Sequence, residues 1–103
     1  MDENAEVEKL FEKNHIFEYI KPDMREDVEN VCKEVGCDKL EFYNGAIEIA
    51  NAYNVKVETV ILEILHNYEW LRKYDYKPVD AFEEALDETY RVFEALHLAV
   101  LEI

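Results

Sequence analysis

The sequence predicts an all-α protein folded as a compact five-helix bundle. Three observations carry that expectation. Apolar side chains recur at three- and four-residue steps, the spacing that lines one face of an α-helix. The composition is that of helices, with only two Gly and two Pro and an abundance of Glu, Lys, Leu, Ala and Ile. Alternation of the strand type is confined to short runs such as Val55-Lys56-Val57. At 103 residues, half of them apolar, the chain is long enough to bury one modest core, so residues 1–103 are expected to form a single helical domain.

The helices are expected at about residues 4–19, 23–35, 38–53, 57–74 and 79–101. In the first, Val7, Leu10, Phe11 and Phe17 share a broad face, while Ile16, Tyr19 and Ile20 fall on the other side. Lys21-Pro22-Asp23 breaks it, because proline cannot continue the backbone ladder. Asp23 is then expected to cap the second helix, with Glu26 and Asp27 favourably placed near its positive end. Its stripe is Met24, Val28, Val31, Cys32 and Val35, and Gly36 closes it in the left-handed conformation. Asp38 and Glu41 have capping-box spacing for the third helix. Leu40, Tyr43, Ile47, Ala50 and Tyr53 run along one face of it. Gly45 inside it costs roughly 1 kcal/mol relative to Ala and points to a close helix crossing.

Asn54-Val55-Lys56 turns the chain into the fourth helix, the most informative stretch. Val60, Ile61, Ile64, Leu65, Tyr68 and Leu71 make one continuous apolar stripe. Glu63, His66, Asn67, Trp70 and Tyr74 make a second. A helix with two such stripes either sits in the middle of the fold or meets a partner. Asp75-Tyr76-Lys77 ends it and Pro78 starts the fifth helix. There Phe82, Leu86, Phe93, Leu96 and Val100 form a stripe that Val79, Ala85, Thr89, Tyr90 and Val92 widen.

The net charge of −14 is the strongest global signal. It opposes an electrostatic grip on nucleic acid or an anionic membrane, both of which need clustered Lys and Arg. Its acid excess lies at the two ends: ten acids against four bases over residues 1–30, and seven against Arg91 alone over residues 78–103. No apolar run approaches the ~20 residues that cross a bilayer. The start, MDENAEVEKL, is acidic where a secretion signal is basic, so a cytoplasmic location is expected. Cys32 and Cys37 are the only cysteines. An intracellular pair is expected reduced, with Cys32 in the core stripe and a local disulfide across Gly36 as the alternative.

Four patterns could carry chemistry. Residues 47–65, reading IANAYNVKVETVILEIL from Ile49, resemble the helix-turn-helix of DNA-binding regulators, with Asn54 standing where glycine is often found. That resemblance implies a recognition helix beginning Val57-Glu58-Thr59, which has no Arg or Lys before Arg72 to offer phosphates or guanine edges. Glu-x-x-His occurs at Glu12/His15, Glu63/His66 and Glu94/His97. This is similar to the ligand spacing of ferritin-like carboxylate bundles, and it implies Fe, Mn or Zn held by Glu63, His66, Glu94 and His97. Arg91, separated from His97 by five residues, looks like the signature of the HEPN ribonucleases. There Arg91 would polarise a phosphate and His97 would move a proton. Glu83-Glu84-Ala85-Leu86-Asp87 is similar to half of the magnesium motif of all-α nucleotide pyrophosphohydrolases. Glu63 and His66 stand where the partner motif would be. There is no serine nucleophile and no glycine-rich phosphate loop.

The second stripe of the fourth helix gives the leading expectation. Trp70 is the only tryptophan, with His66 and Tyr74 beside it and Tyr76 near. Exposed Trp and Tyr are the side chains that anchor protein interfaces. The chain is therefore expected to be a small acidic, non-enzymatic protein acting by protein–protein contact through His66, Trp70 and Tyr74. It would be a regulator, an adaptor, or an inhibitor of a basic or nucleic-acid-binding partner, self-associating as a homodimer and needing no cofactor. The alternatives are the helix-turn-helix regulator and the metal-binding or HEPN-like enzyme.

Overall fold

A computed structural model of the chain describes residues 3–14 and 21–101. Five α-helices account for almost all of them: α1 (Glu3–Asn14), α2 (Pro22–Val35), α3 (Lys39–Tyr53), α4 (Val57–Lys73) and α5 (Pro78–Leu101). The expected continuation of the first helix through residues 15–19 lies outside the described residues, as do His15, Ile16, Phe17, Tyr19 and Ile20.

Local chemistry sets the boundaries. The second helix begins one residue earlier than expected, at Pro22, with Lys21 rather than Asp23 in the capping position. Proline fits the first helical position because its missing N–H would have no partner there. Asp23 lies inside the first turn instead, where its charge still favours the helix end. Gly36 adopts φ 80°. Its N–H and that of Cys37 both reach the Cys32 carbonyl, at 2.8 and 3.1 Å. Asp38 caps α3 by accepting the Leu40 N–H at 2.9 Å. Asn54 takes the left-handed conformation at φ 54° and its N–H closes on the Ala50 carbonyl. After α4 the left-handed residue is Asp75 at φ 66°, and Arg72 donates to the Tyr76 carbonyl at 2.8 Å. That turn lays α5 back along α4.

The centre of the fold is α3 rather than α4. It packs against all four other helices, whereas α4 packs on α2, α3 and α5. The buried face of α3 is correspondingly wider than the single stripe expected. Phe42, Ala46 and Ile49 are buried beside Tyr43, Ile47 and Ala50. Phe42 stacks on Phe82 of α5 at 5.7 Å between ring centres and meets Tyr43 edge-on at 6.0 Å. Burial pushes the Tyr43 hydroxyl up to about 12, because an apolar surrounding disfavours the phenolate. From α4 come Val60, Ile61, Ile64 and Tyr68, from α2 Val28, Val31 and Cys32, and from α1 Val7. Cys32 and Cys37 are not joined as a disulfide; the first is buried and the second half-buried. Desolvation raises the Cys37 thiol above its usual range.

Polar bonds tie the elements together. The Lys39 ammonium holds Glu29 of α2 and keeps that carboxyl below its ordinary range. Tyr68, its ring buried, donates its hydroxyl to Glu34 at 2.6 Å. Across the α4–α5 seam, Asn67 Nδ2 donates to Thr89 Oγ1 at 3.0 Å, and Thr89 donates to the Ala85 carbonyl at 2.7 Å.

The molecule measures 46 × 36 × 20 Å. Its least dimension equals about two helix diameters of ~10 Å each, so the fold is a two-layer slab. In such a slab a helix can be covered on one side only. On α5, Ala81, Phe82, Ala85, Thr89 and Phe93 are buried, but Leu96 and Val100, expected in the same stripe, are exposed. The run of buried residues ends at Phe93 while the helix continues for two more turns. Among the described residues, no helix is long and apolar enough to cross a membrane.

Candidate functional site

The two-layer arrangement decides the fate of the second stripe on α4. Trp70 is 53 % exposed and Tyr74 61 % exposed. Their rings meet edge-to-face at 5.0 Å and 62°, the arrangement that places one ring's positive edge on the other's negative face. Each thus fixes the other while both keep surface toward solvent. His66, one turn before Trp70, is also exposed. Asn67, expected on the same stripe, turns instead into the α4–α5 seam through its bond to Thr89.

His66, Asn67, Trp70, Leu71 and Tyr76 form one wall of a cleft of about 410 Å³, and Glu84 and Glu88 of α5 form the other. Tyr76 enters the cleft because Arg72 holds the backbone of the α4–α5 turn. The two glutamates stand one turn apart on α5, and a single guanidinium reaches both. Arg91 Nη1 lies 3.2 Å from Glu88 and Nη2 lies 3.7 Å from Glu84. The cleft therefore pairs an aromatic wall with an acidic one. Glu84 and Glu88 escape a sequence reading because the α4–α5 seam alone brings them opposite Trp70. Their signal, in retrospect, is the line Glu84, Glu88, Arg91 at steps of four and three residues beside the buried Ala85 and Thr89.

A second cleft, of about 480 Å³, lies between α2 and α4 and is lined by Asn30, Glu34, Tyr68 and Arg72, among others. Within it Tyr68 bonds Glu34, and Arg72 approaches the same carboxylate at 3.9 Å.

The other candidate residues are placed apart. Glu63 is half-buried on α4, while Glu94 and His97 are exposed on the last turns of α5. Among the described residues, no three His, Cys, Asp or Glu side chains gather as a metal site requires. Arg91 faces the cleft glutamates, whereas the His97 ring meets Tyr53 of α3 at 5.6 Å. Six residues along a helix turn the direction by about 120°, and in this structure Arg91 and His97 engage different neighbours. Tyr53 also meets Tyr90 at 5.4 Å, and the bond to the Tyr90 hydroxyl pushes its own up to about 12. Of the acidic motif, Glu84 enters the cleft while Glu83 and Asp87 face solvent. The α3–turn–α4 pair has the left-handed Asn54 that a tight turn requires, and Val60, Ile61 and Ile64 of its second helix are spent on the core.

Compared with known proteins, the chain matches no family model, no curated protein and no solved structure.

Proposed function

We propose that this protein is a non-enzymatic interaction module that acts through the outer face of α4, with Trp70 and Tyr74 as its anchors and His66 at its edge. In this reading it serves as an adaptor or regulator, or as an inhibitor of a basic or nucleic-acid-binding partner, and it self-associates through the same face. The observation that carries the reading is the exposed, mutually packed pair Trp70–Tyr74. Large aromatic side chains held rigid at a surface lose little conformational freedom on binding and bury much apolar area, so they dominate interface energetics. The charge of −14 supports a protein partner over phosphate, and the absence of Lys and Arg from Val57 to Leu71 supports it again at the face itself.

Light scattering and sedimentation over a range of concentrations test the reading. The wild type is expected to assemble with itself or with a partner captured on it. Trp70→Ala is expected to weaken that association by roughly 2 kcal/mol or more. An association that Trp70→Ala leaves unchanged, or a cross-linked partner that maps away from α4, refutes it.

A further inference from the structure

Resting on that interaction face, we infer that the cleft between α4 and α5 receives an arginine side chain from a basic segment of the partner. Its guanidinium lies against the Trp70 ring and is held by the carboxylates of Glu84 and Glu88. Three observations converge on this occupant. The aromatic wall carries Trp70, whose ring offers the strongest π face for a cation among the side chains. The opposite wall carries two carboxylates. Those carboxylates are spaced for one guanidinium, because Arg91 already reaches both from its own helix.

The chemistry selects arginine. A planar, weakly hydrated guanidinium lays a flat face on an aromatic ring while its fixed fork of N–H groups reaches two carboxylates, whereas a compact ammonium has no flat face and holds its water more strongly. The volume, about 410 Å³, lies within the roughly 300–1,000 Å³ of clefts that enclose small groups. Arg91 is 60 % exposed, and ion pairs in water contribute little. An incoming guanidinium therefore exchanges with Arg91 at small cost and gains the Trp70 face in addition. Arg91 acts as an internal competitor that offsets one of the two carboxylate charges while the cleft is empty of partner.

Trp70 is the only tryptophan, so its emission reports the cleft directly. The full chain is titrated with an acetylated, amidated hexa-arginine peptide and, separately, with the uncharged hexa-citrulline peptide of the same shape. Hexa-arginine is expected to shift the Trp70 emission saturably and hexa-citrulline to leave it unchanged. Glu84→Gln with Glu88→Gln is expected to weaken binding about tenfold, while Glu26→Gln with Glu41→Gln, which removes the same charge elsewhere, changes it less than about twofold. Arg91→Ala is expected to tighten it. Equal losses in the two charge-matched pairs, a shift with hexa-citrulline, or weaker binding by Arg91→Ala overturns the proposal. If Trp70→Ala abolishes association while hexa-arginine binding proves indifferent to Glu84 and Glu88, the interaction face stands and its arginine selectivity is refuted.

Discussion

The hydrogen bond between Asn67 and Thr89 holds the seam that shapes the cleft, and a double-mutant cycle measures it. Thr89 is fully buried. Its hydroxyl accepts from Asn67 at 3.0 Å and donates to the Ala85 carbonyl at 2.7 Å. Thr89→Val removes the acceptor and replaces the hydroxyl by a methyl group of similar size. The added methyl contributes about 0.8 kcal/mol of burial at most, and this offsets part of the loss. The stranded Asn67 amide costs about 1 kcal/mol, the low end of the range for an unsatisfied donor, because Asn67 is only half-buried and water reaches it. Asn67→Ala removes the donor, while the Thr89 hydroxyl keeps its bond to Ala85. Each single change thus mixes packing with bonding, and only the cycle isolates the pair. The expected coupling is about 1 kcal/mol, equivalent to roughly 4–8 °C in Tm for a domain near this size. Urea unfolding followed by circular dichroism reads it from the midpoints, provided the slope stays constant. A coupling below about 0.3 kcal/mol would refute a formed bond across the seam, and with it the argument that α4 and α5 hold the cleft walls in register.

Two further outcomes follow from the geometry. A Cβ at Gly45 would lie 3.6 Å from Leu86 Cδ2, an ordinary contact, so the expected close crossing does not demand glycine. Gly45→Ala is therefore expected to raise stability by about 0.5–1 kcal/mol, and a lower urea midpoint would show that α3 and α5 pack more tightly than this distance implies. The second outcome is alkaline loss of stability. Burial raises the Tyr43 hydroxyl to about 12, and burial with Glu34 raises that of Tyr68. Both then hold protons in the folded chain that an unfolded tyrosine releases from about pH 10. This contribution is complete below pH 10 and is lost as pH rises through the folded values. Urea midpoints measured from pH 9 to 11 are expected to fall above pH 10, less steeply in Tyr68→Phe, and a flat profile would contradict the assignment.

What the sequence determined is what neighbouring residues determine among themselves. The helices, their order and most of their ends were legible because helical periodicity, Pro22, Pro78, Gly36, Asp38 and Asn54 act within one turn of the backbone. The cap of α2 falls at Lys21, two residues before the expected Asp23, because two helix-starting signals stand side by side and proline takes the first helical position. The apolar stripe of α4 was legible for the same reason, and so was the existence of a second stripe. Which stripe would be covered was not. A periodic pattern shows that a face is apolar without showing how many layers surround it. The two-layer slab covers Val60, Ile61, Ile64 and Tyr68 and leaves Trp70 and Tyr74 outside. The packing of the helices also gives α3 the central place, ends the buried run of α5 at Phe93, and sets Glu84 and Glu88 across from Trp70. Those residues are far apart in sequence, and only the seam between α4 and α5 makes them two walls of one cleft.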